Sequence, residues 1–167
     1  RLVRPAGLSA HLIERRLGTR RVGVHAICFN EVDSTNDVAF DSARQAGSDG
    51  LAVLAESQRR GRGRMGRRWV SPPRANLLMS VLLVDPRAAL PQEALTIASG
   101  LAVAEGAEAA AGCPCRLKWP NDVLLGEAKV AGVLVEVRRV GGGRCVVVGA
   151  GVNVNAAPPP DEVGAPA

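Results

Sequence analysis

The sequence predicts an α/β (α+β) domain built on a mixed, largely antiparallel sheet with flanking helices. Predicted strands alternate with helices along the first part of the chain, whereas the last third is β-like and contains a glycine-rich hairpin turn. With 167 residues, 47% of them apolar and 22% charged, the chain is long enough for one domain with a sizeable buried core. Disordered and repeat architectures are disfavoured.

The first part of the chain is predicted to alternate helices and strands. A short amphipathic helix spans residues 8–17, with Ser9 as its N-cap, and a strand at residues 26–32 follows it. Capping residues at 33–36 open a second helix, which continues to residue 46 and is closed by Gly47. Strands at 51–56 and 76–84 flank an arginine-glycine segment, and the second is a strongly apolar run typical of a buried strand.

The second part opens with a long Ala-rich helix that begins at Pro91 and runs to residue 111. Four strands are predicted after it, at residues 116–119, 122–125, 129–138 and 144–154. Three consecutive glycines, at 141–143, mark a turn between the last two strands and predict an antiparallel hairpin. The tail at 156–167 has four prolines and little apolar periodicity, as in a linker or a frayed end.

The positive charge of the chain is concentrated in one place. The net charge is +5, from 21 basic and 16 acidic residues. Six arginines fall between Arg59 and Arg68, which leaves 15 basic and 16 acidic residues elsewhere. The chain is therefore near neutral apart from one candidate anion site. This distribution, with an aromatic content of only 2%, argues against a nucleic-acid surface with stacking platforms.

Targeting and metal signals are weak. No apolar run approaches the length of a membrane span, and the N-terminal residues lack the apolar core of a signal peptide, so a cytoplasmic protein without membrane contact is expected. Among the four cysteines only Cys113 and Cys115 are close enough in sequence to suggest a pair. Because the chain has two histidines and no CxxC motif, we interpret the cysteines as reduced small hydrophobes.

The two lysines, Lys118 and Lys129, stand out because the other 19 basic residues are arginines. Lysine is a compact point charge on a flexible stem, whereas arginine is a planar fork. A site that needs one charge on one oxygen would retain lysine in an arginine-biased sequence, so both lysines are candidate site residues.

The segment from Gly61 to Gly66 formally matches the dinucleotide fingerprint GxGxxG, but its context does not. That fingerprint requires a helix immediately after it, and the pair Pro72-Pro73 lies a few residues downstream. Arginines on a glycine-rich backbone repel one another unless an anion is near, and glycines allow the loop to bend around that anion. We therefore predict an anion-binding loop; the alternative is a solvated flexible loop.

Five motifs follow one another along the chain: Asp33-Ser34-Thr35-Asn36, Gln58 with Gly61-Arg62-Gly63-Arg64-Met65-Gly66-Arg67-Arg68-Trp69, Lys118-Trp119-Pro120-Asn121-Asp122, Lys129-Val130-Ala131-Gly132-Val133-Leu134-Val135-Glu136, and Gly149-Ala150-Gly151-Val152-Asn153-Val154-Asn155. In this order they resemble the motifs of the biotin protein ligases, the biotin–[acetyl-CoA-carboxylase] ligases. The resemblance implies a catalytic domain with the fold shared by class II aminoacyl-tRNA synthetases and biotin/lipoate ligases.

The resemblance also implies a reaction. ATP and biotin would be the substrates, with Mg²⁺ at the phosphates, and biotinyl-5′-AMP the activated product. A lysine of the biotin carboxyl carrier protein domain of acetyl-CoA carboxylase would then accept the biotinyl group. Two anions must approach and the mixed anhydride must be kept from water, and an arginine-rich loop that orders over the ligand suits both needs. A homodimer formed by sheet-edge pairing also occurs in the family.

On the biotin side, the resemblance implies the following roles. Ser34, Thr35 and Asn36 would line the ureido end, although these residues are also plausible helix caps. Gln58 would lie along the ligand, and Gly61, Arg62, Gly63 and Arg64 would contact the biotin carboxylate and the phosphates. Lys129 would place its ammonium between carboxylate and α-phosphate, as a catalytic residue together with Arg62 and Arg64. Gly132 would allow the strand to approach biotin, and its alternative is a β-bulge.

On the nucleotide side, Trp69 would help to form the adenine pocket, and core packing is the alternative. Arg64, Arg67, Lys118, Asn121 and Asn153 would contact ATP. Asp122 would ligate Mg²⁺, with turn capping as its alternative. Gly151 would lie on the nucleotide-side strand, and Glu136 would be a supporting or structural group.

The resemblance further predicts domain limits and leaves alternatives open. Residues 1–155 are expected to form the catalytic domain and 156–167 a Pro-rich tail, without the remaining catalytic helices and the C-terminal SH3-like domain that family members usually have. A lipoate or octanoate protein ligase is the second hypothesis. A non-catalytic anion or nucleic-acid binding module is the third. The chain shows no Ser-His-Asp set or GxSxG motif that would support nucleophilic hydrolysis.

Overall fold

Seven strands form one sheet in the computed structural model, which describes residues 7–84 and 91–158. The strands are β1 (Ala26–Phe29), β2 (Ala52–Ala55), β3 (Leu77–Val84), β4 (Cys115–Lys118), β5 (Asp122–Leu125), β6 (Ala128–Val140) and β7 (Gly143–Val152). Their order across the sheet is β1-β2-β3-β7-β6-β5-β4. The pair β1–β2 is parallel and the other neighbouring pairs are antiparallel, which confirms the predicted mixed, largely antiparallel sheet.

The described helices are α1 (Ala10–Arg16), α2 (Thr35–Ser42) and α3 (Gln92–Ala111), with a short 3-10 turn at Arg64–Gly66. Ser9 caps α1 as predicted, because its side chain accepts a hydrogen bond from the backbone N–H of Leu12 at 3.4 Å. The prediction for α2 was wrong at its C-terminal end. Three-residue turns replace the helix after Ser42, with Ala43 N–H bonded to Phe40 O and Gln45 N–H to Ser42 O. No described helix is long and apolar enough to cross a bilayer.

The helices flank the sheet on opposite faces, because successive side chains along a strand point to opposite sides. On β6 the buried Val133 and Val135 pack with Leu95 and Val103 of α3. The other face packs against α2, where Ala39 and Phe40 join one buried cluster with Val53, Leu82 and Val147. The predicted hairpin is confirmed: β6 and β7 pair continuously from Ala131↔Val152 to Val140↔Gly143, and Gly141 and Gly142 turn the chain at positive φ.

The face that carries α2 changes character along β6 and β7. Near α2 it presents large side chains such as Val147, whereas farther along it presents Gly132, Gly149 and Gly151. Gly132 and Gly151 lie directly opposite each other in the register. These three glycines are called the glycine floor below. The arginine-glycine loop follows Gln58, and its last residue, Trp69, lies on the floor.

Candidate functional site

The glycine floor is the base of the candidate site, and each of its glycines leaves room for a specific neighbour. A Cβ atom at Gly151 would overlap the indole of Trp69, and one at Gly149 would overlap the side-chain amide of Asn36. At Gly132 a Cβ would lie 3.0 Å from Trp69 Cζ3 and 3.5 Å from Lys129 Nζ. The floor is therefore a place where side chains from three distant segments rest on bare backbone.

The arginine-glycine loop folds back on itself before it reaches the floor. Trp69 N–H donates to Gly61 O at 2.9 Å, and Gly63 N–H donates to Arg67 O at 2.6 Å. At the tip, Met65 has a φ of 57° and is 89% exposed, so its side chain makes little contact with the domain. This is a two-legged loop with an exposed tip, and no helix starts there, as the sequence context predicted.

Trp69 is the residue of the loop that reaches the floor. Its indole lies against Gly132 and Gly151, and the ammonium of Lys129 lies 5.7 Å from the ring centroid. The Nε1 atom is buried and has no hydrogen-bond partner among the described residues. A buried N–H without an acceptor is unusual, and here it lies beside two candidate site residues. Trp69 was predicted either to form an adenine pocket or to pack in the core; the structure places it on the floor.

Lys129 and Asp122 form an ion pair beside the indole. Lys129 Nζ lies 2.8 Å from Asp122 Oδ1, and Asp122 is paired with Gly132 across β5 and β6. The lysine side chain is 46% exposed, so its charge remains accessible to a ligand. A β-bulge does occur here, because the β5–β6 register shifts between Val123 and Leu124, but it lies beside Gly132 rather than at it.

The N-terminus of α2 forms the next wall of the site. Ser34, Thr35 and Asn36 are all buried, and Ser34 occupies the N-cap position without making a side-chain capping bond. The backbone N–H of Thr35 donates to Gln58 Oε1 at 2.8 Å, and its hydroxyl lies 3.1 Å from the same oxygen. Two predicted biotin-side motifs are thereby brought into direct contact. This contact uses the side-chain oxygen of Gln58 and not its amide nitrogen.

Ser80 on β3 was missed by the sequence analysis. Its side chain is fully buried, and its Oγ lies 2.7 Å from Thr35 Oγ1 and 2.5 Å from Asn36 Oδ1. The signal in the sequence was a single hydroxyl inside the apolar strand Leu77–Val84. A buried polar side chain in such a run normally has a specific partner.

The guanidinium of Arg62 is paired with two carboxylates in the ligand-free structure. Its guanidinium donates to both oxygens of Asp37, at 2.7 and 2.9 Å, and to Glu136 Oε2 at 3.1 Å. Arg138 also reaches Asp37 Oδ1, at 3.0 Å. The hydrogen bond from Arg62 holds the pKa of Asp37 below its ordinary value, and the bond to Asp37 raises the pKa of Arg62. Asp37 was also missed, although it directly follows the Asp33–Asn36 motif.

The remaining loop arginines differ in the partners of their guanidinium groups. Arg59 is paired with Asp33 and Glu31, whereas Arg64 donates to the amide oxygen of Asn121 at 3.1 Å. Among the described residues, Arg60, Arg67 and Arg68 have no ion-pair partner, and all three are exposed. The concentrated positive charge predicted from the sequence is thus partly neutralised by carboxylates, and the arginines without a carboxylate partner are exposed to solvent.

The KWPND motif and the last strand frame the far side of the floor. Asn121 is fixed to β6 by two hydrogen bonds to Val133. The side-chain amide N–H of Asn121 donates to Val133 O at 3.0 Å, and the backbone carbonyl of Asn121 accepts from Val133 N–H at 2.9 Å. Asn153 N–H donates to Val130 O at 2.7 Å, which ties the end of β7 to the start of β6. Lys118 is exposed at the end of β4, where it pairs with Asp122, which in turn lies opposite Gly132.

A groove of about 520 Å³ adjoins the site. The loop forms one wall, through Arg62, Arg64 and Arg67, and the start of α3 forms the other, through Gln92 and Thr96. Its base is the part of β6 at Leu134, Val135 and Glu136. Gln92 Nε2 donates to Val135 O at 2.7 Å, so part of the β6 edge is already capped by a side chain.

No cluster of three or more His, Cys, Asp or Glu residues with metal-binding geometry occurs among residues 7–84 and 91–158. A metal held entirely by protein groups therefore does not fit the described site. The carboxylate of Asp122 lies beside the floor, in contact with Lys129. A single carboxylate suits Mg²⁺ that is held mainly by nucleotide phosphates.

Comparison with known proteins gives a consistent result. The profile of the biotin/lipoate A/B protein ligase family matches residues 28–153, which include four of the five motifs and the fifth as far as Asn153. The bifunctional ligase/repressor BirA of Bacillus spizizenii is 38% identical over 158 residues, covering 91% of this chain and 47% of the relative. The biotin–[acetyl-CoA-carboxylase] ligase of Mycobacterium tuberculosis is 39% identical over 160 residues, covering 90% of this chain and 56% of the relative.

The fold is likewise that of solved structures in the same group. The biotin protein ligase from Aquifex aeolicus in complex with biotin and ATP superimposes with a TM-score of 0.70 at 36% identity, covering 85% of this chain and 58% of that one. The chain spans about half the length of the BirA relatives from two Bacillus species.

Proposed function

The chain belongs to the biotin/lipoate A/B protein ligase family, and from that premise we propose that it is an ATP-dependent ligase that activates biotin as biotinyl-5′-AMP. The second step transfers the biotinyl group to a lysine of a biotin carboxyl carrier protein domain. The observation that supports this most strongly is that Asn36, Trp69 and Lys129, which belong to motifs far apart in the chain, all lie against the glycine floor.

The first step requires two anions to meet. An oxygen of the biotin carboxylate attacks the α-phosphorus of ATP, the bond to the β-phosphate oxygen breaks, and pyrophosphate leaves. Lys129 supports this step as a half-exposed ammonium beside the floor, and Arg64 as a loop cation without a carboxylate partner among the described residues. No protein nucleophile is needed, so catalysis rests on positioning and on charge stabilisation.

For biotin we propose the wall formed by Ser34, Thr35, Asn36 and Gln58. Gln58 Oε1 already accepts from Thr35 N–H, so its amide N–H groups are the ones available to a ligand carbonyl. The glycine floor supports this assignment, because bare backbone allows a flat ring system to lie close to the sheet. The loop backbone at Gly61 and Gly63, with Arg62 and Arg64, would cover the valeryl chain and its carboxylate.

For ATP we propose the opposite part of the floor. Trp69 offers an aromatic ring beside the floor, which suits stacking with a purine base. Asn121 and Asn153 lie on the same side, and Arg67 and Lys118 are exposed cations that a triphosphate would attract. Mg²⁺, held by the phosphates with Asp122 as the protein ligand, would offset the negative charge of the triphosphate.

For the second step we propose that the acceptor lysine enters along the groove beside β6. Its amine attacks the biotinyl carbonyl, AMP leaves, and the nitrogen loses one proton. The groove connects the outer surface with Arg62, Arg64 and Glu136 next to the floor. The carrier domain of acetyl-CoA carboxylase is the proposed partner, and sheet-edge pairing of two chains is the proposed route to a homodimer.

We place this reaction in the cytoplasm. The four cysteines are free thiols in the structure, as expected for a reducing compartment. Both ATP and carrier domains that await modification are available there.

Exchange of labelled pyrophosphate into ATP tests the proposal, since it reports adenylate formation without an acceptor. We expect exchange that requires both ATP and biotin, and none with ATP alone. Exchange supported by lipoate or octanoate but not by biotin would overturn the proposal in favour of a lipoate-type ligase. Absence of exchange with every carboxylic acid, with the fold intact by circular dichroism, would favour a non-catalytic module.

A further inference from the structure

We propose that Ser80 is a positioning residue that joins the ligand-facing start of α2 to the arginine-glycine loop through Asn36, Glu136 and Arg62. This inference deepens the proposed function, since it concerns how the loop is held over the same site. Ser80 lies on β3, in none of the five motifs, and none of the proposed ligand roles uses it.

The hydroxyl of Ser80 occupies the centre of the connection. It is 0% exposed, and it lies 2.7 Å from Thr35 Oγ1 and 2.5 Å from Asn36 Oδ1. The side-chain amide N–H of Asn36 donates to Glu136 Oε2 at 2.6 Å. The side-chain oxygen of Asn36, Oδ1, is therefore the acceptor that faces Ser80. The single proton of Ser80 therefore goes to Asn36.

The direction of this hydrogen bond decides what the oxygen of Ser80 can accept. Once Ser80 donates to Asn36, its oxygen is left to accept from the hydroxyl of Thr35. Gln58 Oε1 remains satisfied by the backbone N–H of Thr35. The hydroxyl of Thr35 thus has two acceptors within reach, Ser80 and Gln58, and a ligand that moves Gln58 changes which of them it serves.

The connection continues from Asn36 into the loop. Glu136 Oε2, which accepts from Asn36, also accepts from Arg62 at 3.1 Å. Arg62 begins the loop segment whose last residue, Trp69, lies on the floor. Gly149 makes the link sterically possible, because a side chain there would overlap the amide of Asn36.

This arrangement gives Ser80 a role that packing alone does not. Removal of its hydroxyl leaves Asn36 Oδ1 buried without its donor, and the Asn36 amide is then free to turn away from Glu136. Glu136 loses one of the two donors that fix its carboxylate, so Arg62 and the loop are held less firmly. A ligand that binds Thr35 and Gln58 changes the hydrogen bonds between Thr35 and Ser80, and therefore the same network.

The experiment is a double-mutant cycle on the 167-residue chain, with Ser80→Ala, Glu136→Gln and the two combined. The readouts are the rate of tryptic cleavage after the arginines between Arg59 and Arg68, without ligand, and the biotin dissociation constant from calorimetry. We expect each single variant to raise loop cleavage about tenfold, the equivalent of one hydrogen bond, and Ser80→Ala to weaken biotin binding by a similar factor. In the double variant the two effects should not multiply.

Ser42→Ala is the matched control, because Ser42 is also a buried serine but donates only to Val38 O within its own helix. It should leave loop cleavage and biotin affinity unchanged. Multiplicative effects in the double variant, or equal effects of Ser42→Ala and Ser80→Ala, would overturn the proposal. Non-multiplying effects on cleavage in a chain that binds no biotin would support the connection while rejecting biotin as its ligand.

If Ser80→Ala fails to fold by circular dichroism, Asn36→Asp replaces it in the cycle. That variant keeps the acceptor for Ser80 and turns the contact with Glu136 into a repulsion between carboxylates. Faster loop cleavage that Glu136→Gln restores would support the connection, and cleavage at the unmodified rate would overturn it.

Discussion

Lys129 Nζ lies 2.8 Å from Asp122 Oδ1, so the proposed catalytic cation and the proposed magnesium ligand neutralise each other in the ligand-free chain. Both are charged groups beside the glycine floor, where opposite charges would otherwise remain exposed. A triphosphate with its metal offers each of them a new partner: the phosphate oxygens for Lys129 and the cation for Asp122. The pair is therefore a resting arrangement that a nucleotide exchanges for its own contacts.

Lys129→Ala should lower the rate of adenylate formation about 100- to 1000-fold, because it removes the charge that we propose stabilises the reacting oxygens. The measurement is biotin-dependent pyrophosphate exchange, with circular dichroism to verify the fold. Arg116→Ala is the matched control, since Arg116 is an exposed cation of the same sheet that pairs with Glu127. Near-normal exchange in Lys129→Ala would remove Lys129 from the proposed catalytic residues.

Gly151→Ala should displace Trp69 from the floor, because the added Cβ would overlap its indole. Overpacking of this kind costs about 1–3 kcal/mol, so we expect an affinity for ATP about tenfold lower or weaker still. Fluorescence of Trp69 in a Trp119→Phe background should shift to the red as the indole becomes hydrated. Gly143→Ala on the same strand meets only Val140 O, at 3.7 Å, and should change neither readout. An unshifted spectrum in Gly151→Ala would show that the indole does not lie on the glycine.

The order of strands and helices was predictable because it depends on local patterns. The hairpin of β6 and β7 has long extended segments and a glycine turn, and it forms as predicted. The ends of shorter elements were not predictable. Strand β1 ends at Phe29 rather than at residue 32, and Val32 forms only an isolated bridge with Gln58. That bridge is a tertiary contact, and no local pattern reports it.

The site was predictable in its residues but not in their connections. Family resemblance singled out Asn36, Arg62 and Glu136, yet their mutual contacts join residues up to 100 positions apart. Ser80 lies 44 positions from Asn36 and carries no motif of its own. Composition indicated one candidate anion site with six arginines, whereas the fold pairs one of them, Arg62, with Asp37 and Glu136. Long-range pairing of charges is decided by the fold, which the sequence alone does not display.

The stability of the chain should depend on pH through Asp37. Hydrogen bonding from Arg62, opposed by burial and assisted by Arg138, lowers the pKa of Asp37 in the folded state. A group with a depressed folded pKa stabilises the fold above its unfolded pKa, here about 4, and that contribution disappears as the pH falls through the lower folded value. Glu136 also lies in this cluster, through its ion pairs with Arg62 and Arg138.

Urea unfolding across about pH 3 to pH 7 tests this dependence. Asp37→Asn should lower the free energy of unfolding at neutral pH by about 1 kcal/mol, since solvent screens a half-exposed pair, and by less at the acidic end. Asp41→Asn, an exposed carboxylate on the same helix, is the control. A constant difference between Asp37→Asn and the unmodified chain at every pH would contradict the assignment.

Arg64 should matter for retaining the adenylate more than for folding. Its guanidinium contacts only the amide oxygen of Asn121 among the described side chains, at 3.1 Å, so its charge is available to the carboxylate and phosphate of a ligand. Arg64→Ala should therefore speed release of biotinyl-5′-AMP about tenfold to a hundredfold, the loss expected for one charge-assisted hydrogen bond, with little change in the unfolding midpoint. Release is measured by rapid filtration of labelled adenylate. Arg60→Ala removes a cation of the same segment that is exposed, and its release rate should match that of the unmodified chain. Equal release rates for Arg64→Ala and Arg60→Ala would mean that the loop acts through its overall charge rather than through Arg64.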